Sequence, residues 1–264
     1  MKKIYILTVV LLFSLFQYSC KKDAVQVIDV PVQSGAQIRF FNFGMNSPSV
    51  NFYANDIKVS ATSSTTGAES TTGVTYGNTF PSGSIYTLLP AGNYTLKGQL
   101  PSTVAMDANL SIANVTANLE NNKYYSFYTC GFYNAIAKTS DAFVIEDKLP
   151  AVDTSAAYIR FVNVVPNAPS TISLSLRNTT TLVETPVATA IAYKSASDFI
   201  KAPQAVYDLI IRYQISATSP ATISFSSISL LKNRVYTFST RGDINISPSG
   251  TAVNRLVLTG YINR

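Results

Sequence analysis

The sequence predicts an all-β protein made of two tandem β-sandwich domains behind an N-terminal export leader. Three observations carry the prediction. First, the 264 residues are 47% hydrophobic and 13% charged, with 16 Tyr and 14 Phe. That is too apolar for a disordered chain and too poor in charge for a long coiled coil. Second, short runs rich in Val, Ile, Thr, Tyr and Phe alternate with Gly, Pro and Asn turn signals. No segment after the leader shows a capped apolar stripe of helical period. Third, the chain repeats itself.

The leader comes first. Lys2 and Lys3 form a basic start, Ile4 to Phe16 is an apolar run, and Ser19 and Cys20 follow at once. The run is too short to span a membrane comfortably and has the layout of a secretory signal. A small residue directly before Cys20 resembles the lipobox of bacterial lipoproteins, although Gln17 and Tyr18 depart from its usual pattern. The resemblance implies a signal peptide at 1–19, lipidation of Cys20, a tether over 20–34 and attachment to a membrane through the N-terminal lipid. Lys21 in place of Asp after the Cys resembles outer-membrane sorting. The Lys21, Lys22, Asp23 stretch resembles short tags that send some Bacteroidetes lipoproteins to the cell surface. With Cys20 lipidated, Cys130 is alone, so the mature chain has no intramolecular disulfide.

The repeat defines the rest. AQIRFFNFGMNSPSV at 36–50 aligns with AYIRFVNVVPNAPST at 157–171, with 8 of 15 positions identical. Pro90 to Leu96 aligns with Pro203 to Leu209, and Asn122 to Phe127 with Asn233 to Phe238. The offsets are 121, 113 and 111 residues, so the second copy runs in the same order with shorter loops. Sandwich domains are therefore expected at 35–148 and 155–264, each large enough for its own core. Strands are expected at 85–89, 94–96, 124–132, 209–213, 222–231, 235–240 and 256–262. Residues 60–73, nearly all Ser, Thr and Gly, are expected as a loop.

The opening of each copy, Ile-Arg-Phe-x-Asn followed by Asn-x-Pro, resembles the bacterial "domain of unknown function 4397" family. The second copy keeps Arg160, Asn163, Asn167 and Pro169; the first keeps Arg39, Asn42, Asn46 and Pro48 but has Met45 where the family has Pro. The resemblance implies immunoglobulin-like β-sandwich domains in envelope or secreted proteins. It supplies no activity and no catalytic residues.

Two groups of residues stand out. Arg39 and Arg160 precede a Phe that should enter the core. Their recurrence suits a structural device, an Arg whose stem packs and whose head caps loop carbonyls; an anion or glycan contact is the functional alternative. Asn42, Asn46, Pro48, Asn163, Asn167 and Pro169 read as the turn chemistry that completes this repeated motif. In the 124–132 strand, Tyr125, Phe127 and Thr129 share one face, which Tyr236, Phe238 and Thr240 repeat, so that face is assigned to the core. The other face presents Tyr124, Tyr128 and Phe132 where the second copy has Val235, Ser239 and Asp243. Such an aromatic stripe packs under a neighbouring domain, or it binds a glycan or a protein partner.

Enzyme signals are absent. The chain has no His, which removes His-based triads and His metal sites, and it lacks a phosphate loop, a paired-Cys motif and a nucleophile elbow. Glu146 and Asp147 are adjacent and would point to opposite faces of a strand. No cofactor, metal or catalytic residue is expected. Charge is uneven: residues 24–150 hold 6 basic and 8 acidic residues, and 151–264 hold 10 and 5. With no basic run, nucleic acid is not an expected partner. The expectation is a non-catalytic envelope lipoprotein, adhesive or scaffolding, contacting envelope polymers or proteins. A glycan-binding uptake component is the alternative and a glycoside hydrolase the weaker one.

Overall fold

The repeated opening segment forms the same strand twice. In the computed structural model, which describes residues 34–60 and 72–264, AQIRFFN forms β1 (Ala36–Asn42) and AYIRFVN forms β10 (Ala157–Asn163), with one burial pattern. The expected leader at 1–19, Cys20, the tether up to Gln33 and most of the 60–73 loop lie outside the described residues.

After β1 come β2 (Asn51–Ala54), β3 (Ile57–Lys58), β4 (Thr79–Phe80), β5 (Thr87–Leu89), β6 (Gly92–Gln99), β7 (Ser111–Leu119), β8 (Tyr124–Asn134) and β9 (Thr139–Glu146). After β10 come β11 (Ile172–Asn178), β12 (Glu184–Ile191), β13 (Ser195–Ala196), β14 (Ile200–Ala202), β15 (Ala205–Ser216), β16 (Ser219–Leu230), β17 (Val235–Arg241) and β18 (Val257–Ile262). The described residues contain no helix, and the protein is all-β.

The first half forms a sheet ordered β4-β1-β8-β9, with β5 also on β1, and a sheet ordered β3-β2-β6-β7. The second half forms β13-β10-β17-β18, with β14 on β10, and β12-β11-β15-β16. Each half is an immunoglobulin-like sandwich, and every pairing of the first recurs in the second. One pair in each is parallel: β1 lies on β8 with Phe40 opposite Phe127, and β10 on β17 with Phe161 opposite Phe238.

Alternation explains the cores. In the first, Ile38, Phe40, Phe52, Leu96 and Phe127 are fully buried, with Phe40 stacked on Phe52 at 5.1 Å. In the second, Ile159, Phe161, Leu174, Leu209 and Ile211 occupy the same layer. The other two aligned segments are tyrosine devices. Tyr94 and Tyr207 each donate to the carbonyl of the Pro four residues earlier, Pro90 and Pro203, at 2.9 Å. Asn122 and Asn233 adopt φ of 61° and 59°, a left-handed turn that Asn tolerates.

The halves lie together in one compact unit, Ser34–Arg264. Because β1 and β8 run the same way, as do β10 and β17, their four first residues gather at one end, here termed the base. Arg264 Nη2 reaches the Pro150 carbonyl there at 2.8 Å, which brings the end of the second half against the link from the first. The opposite end, the tip, carries the β8–β9 hairpin, the loops after β1 and β10, and the loop between β17 and β18.

Candidate functional site

The sheets containing β1 and β10 face each other, and of the residues singled out in the sequence this joint takes in Arg39, Arg160 and Tyr128. Arg39 and Arg160 occupy equivalent positions and make equivalent reaches. Arg39 Nη1 donates to the carbonyl of Ile262, the last residue of β18 (3.1 Å), and Arg160 Nη1 to that of Glu146, the last residue of β9 (3.4 Å). Each guanidinium lies over a ring of its own half, Tyr86 at 4.6 Å and Phe199 at 4.7 Å. Both side chains are buried. The two contacts are related by a local twofold running along the strands.

The chemistry departs from that symmetry. Asp147 follows β9 where Asn263 follows β18. Arg160 Nη2 is paired with Asp147, whose other oxygen accepts from Ser126 Oγ at 2.8 Å and Tyr86 OH at 2.9 Å. Asn263 donates to Tyr86 OH at 2.7 Å and accepts from Thr237 Oγ1 at 2.6 Å. Arg39 spends Nε and Nη2 on the Ile85 carbonyl, at 3.1 and 3.0 Å. Arg39 is therefore the carbonyl-capping arginine that the repeat predicts, whereas Arg160 is one partner of a buried ion pair. Burial, with the Asp147 carboxylate adding to it, pushes the Tyr86 phenol well up. Burial works against the charge on Arg160, but the attraction of Asp147 and the nearby Tyr128 and Tyr261 oxygens outweighs it, and the guanidinium is held above its ordinary range.

The aromatic stripe splits into three environments. Tyr128, the middle member, is fully buried in the joint, stacked between Phe41 (4.4 Å) and Phe143 (4.9 Å). Its hydroxyl bonds to Tyr261 OH and faces Ser239, the residue equivalent to Tyr128 in the second half. A binding stripe through Tyr124, Tyr128 and Phe132 is thereby corrected. The facing sheet covers its centre, and no continuous platform remains. Tyr124 is half-buried at the base with its edge on Tyr86. Phe132, 45% exposed, lies at the tip beyond Gly131, whose φ of 77° belongs to an irregularity that ends the regular pairing.

The repeated Asn residues tie the tip. Asn42 Nδ2 donates to the carbonyls of Val74 (2.8 Å) and Pro48 (3.3 Å), and Asn163 Nδ2 to that of Ile191 (2.9 Å). Thr129 and Thr240 bond the two Asn oxygens from the adjacent strand at 3.0 and 3.3 Å. Asn46, at φ 56°, accepts from Asn254, so it links the halves. Asn167 donates to Asp243 at 2.7 Å, and Pro169 is exposed in the following turn. One further device escapes sequence reasoning. Tyr76-Gly77 and Tyr193-Lys194 are equivalent turns with φ of 84° at Gly77 and 63° at Lys194. Each sends its Tyr across the joint. Tyr193 OH meets Cys130 Sγ at 3.2 Å and Asp141 at 3.0 Å, while the Tyr76 ring lies 4.7 Å from the Arg241 guanidinium carbon. Burial pushes the Cys130 thiol up to about 12. Only the shared Tyr could have signalled these turns, because the loops around them differ in length.

Concave surface lies along the edges of the joint. The largest cavity described, about 550 Å³, is at the base and includes Lys123, Tyr124, Lys148 and Arg264 in its lining. Another of about 390 Å³ flanks Arg160, Asp198 and Phe199. Among the described residues no group of three or more Cys, Asp and Glu side chains converges as a metal site.

Residues 36–172, just over half of the chain, match the family described as a domain of unknown function, DUF4397. The chain belongs to the DUF4397 family. The DUF4397 match starts on the first residue of β1, runs through the first half and β10, and stops where β11 begins. It thus includes both Arg39 and Arg160, with Asp147 between them. No curated protein matches the chain.

Proposed function

We propose that this protein is a non-catalytic cell-envelope lipoprotein in which Cys20 carries the lipid and two DUF4397 copies, bounded near 35–148 and 155–264, form an adhesive or scaffolding module for envelope polymers or proteins. The observation that carries the reading is the joint. The arginines, the buried carboxylate and the central tyrosine, which are the residues best suited to chemistry, are each buried with protein partners at it. A body braced in this way holds an extended outer surface in fixed shape, as a scaffold requires. The matching strand pairings of the halves support counting the second as another copy. The leader supports export, and Lys21 in place of Asp after the Cys supports placement at the outer membrane.

The anchoring part is tested by fractionating cells that express the chain with Cys20 or with Cys20→Ala. The native chain should sediment with membranes and take up a fatty-acid label; the variant should lose both. A variant that stays membrane-bound refutes the anchor. The contact part is tested by co-sedimentation of purified Ser34–Arg264 with isolated cell walls and envelope polysaccharide. Retention by either supports the module, and turnover of a polysaccharide without retention overturns it.

A further inference from the structure

The base of the molecule carries a cluster of cations. Lys148, Lys232 and Arg234 are exposed there, and Arg264 is half-buried beside them. Among the described residues these four form no salt bridge, whereas the neighbouring acids are taken up. Glu120 and Glu146 are held by Lys123 at 2.7 and 3.4 Å, and Asp153 by Lys201 at 2.9 Å. Large apolar side chains stand among the cations: Leu88 at 40%, Leu231 at 50% and Val152 at 69% exposure. The base cavity of about 550 Å³ is lined by Lys123, Lys148 and Arg264 together with Glu146 and Asp147, whose charges are already met by Lys123 and Arg160. The Arg264 Nε at its wall is buried without a hydrogen-bond partner.

The described chain also begins at this end. Gly35 accepts from the Asn122 amide at 2.8 Å, in the turn that carries Lys123. From Cys20 to Ser34 is 14 residues, a reach of at most about 50 Å. A lipid on Cys20 therefore joins the chain to the bilayer from the base side and keeps the base within reach of it.

From these observations we infer that the base is a membrane-docking face. Lys148, Lys232, Arg234 and Arg264 rest on the phosphates of anionic phospholipids, and Leu88, Val152 and Leu231 enter the boundary between headgroups and acyl chains. Basic and apolar side chains interleaved on one surface match such a boundary, where apolar burial and attraction to anionic lipid add. The inference rests on the reading of Cys20 as the anchor for its orientation. The contact itself needs no lipid on the protein, so the two can fail separately.

The test uses the compact unit Ser34–Arg264, which carries both cores and no lipidation site. Its sedimentation is measured with vesicles of phosphatidylglycerol and phosphatidylethanolamine, and with vesicles of phosphatidylcholine alone. Salt-sensitive binding to the first and little to the second is expected. The triple variant Lys148→Glu, Lys232→Glu, Arg234→Glu should weaken partitioning roughly 100-fold. The triple variant Lys138→Glu, Lys194→Glu, Arg255→Glu makes the same change of net charge at the tip, about 35 Å away along β8. It should change partitioning by less than about 3-fold, since the tip lies several screening lengths from the contact. All the base substitutions are at exposed positions, and an unchanged melting temperature confirms the fold. No binding to anionic vesicles overturns the docking face. So does an equal loss in the two triple variants, which would reduce it to net charge. If vesicles bind as expected while Cys20→Ala leaves the cellular protein on membranes, the face stands and the anchor falls.

Discussion

The two halves share every strand pairing, yet they contribute different chemistry to the surface where they meet. The first half brings Tyr128, Asp147 and Tyr86; the second brings Ser239, Asn263 and Phe199 at the matching positions. A symmetric pair of first halves would set Tyr128 against Tyr128 and Asp147 beside a second Asp147. Here the large ring faces a small hydroxyl, and one carboxylate serves one arginine. Across a near-twofold, divergence between the copies has produced complementarity, because bulk or charge on one side of the axis requires space or a neutral acceptor on the other. At the tip the same turn brings Tyr193 to a thiol in one place and Tyr76 to a guanidinium in the other.

The comparison is sharpest at the buried acid. Asp147→Ala leaves Arg160 charged and buried without its partner, and should cost about 3–5 kcal/mol. Asn263→Ala at the equivalent position removes neutral hydrogen bonds and should cost about 1–3 kcal/mol. Urea denaturation of both variants decides the matter; equal losses would mean that the asymmetry carries no energetic weight. Tyr128→Ala should cost about 3–5 kcal/mol by opening a cavity between Phe41 and Phe143. Ser239→Ala, across the joint, should cost about 1 kcal/mol or less.

Alkali gives a graded test of the same surface. The Cys130 thiol has an ordinary value of 9.0 and is held up to about 12 in the fold by burial. Between those values the folded state keeps a proton that the unfolded state releases. Stability is therefore fully present below pH 9 and lost as pH rises toward 12, by up to about 1.4 kcal/mol per pH unit for this group. Burial raises Tyr128 and Tyr261 as well, so the loss steepens once the unfolded tyrosines begin to ionise above pH 10. Denaturation midpoints recorded from neutral to alkaline pH should fall in that order, and Cys130→Ala should flatten the first part of the decline.

The smallest expected effects lie toward the tip. Tyr193→Phe removes a hydroxyl shared between Cys130 and Asp141 and should cost about 1 kcal/mol. Phe132→Ala, at the exposed tip, should stay within about 0.5 kcal/mol in the same assay. A large loss at Phe132 would show that the stripe acts as one packed unit, against the division seen here.

Sequence alone determined the strand chemistry, the repeat and the roles that depend on local geometry. Alternation in YYSFYT placed Tyr125, Phe127 and Thr129 inward, and the aligned segments at 90–96 and 122–127 mark local turns whose hydrogen bonds span only a few residues. The strands expected from the sequence leave out β1, β2, β7, β9, β10, β11 and β12; in β7 (SIANVTANL) small and polar residues leave little apolar periodicity, and β7 and β9 are held by pairing with β6 and β8. Tertiary structure alone decided which outer face was covered. A strand's outer side chains are the same letters whether water or another sheet lies over them, so Tyr128 could not be told from an exposed aromatic until the second half was in place. The Arg160–Asp147 pair was hidden for the same reason. Its partners are 13 residues apart in sequence, but they meet only because the second sandwich folds back onto the end of β9.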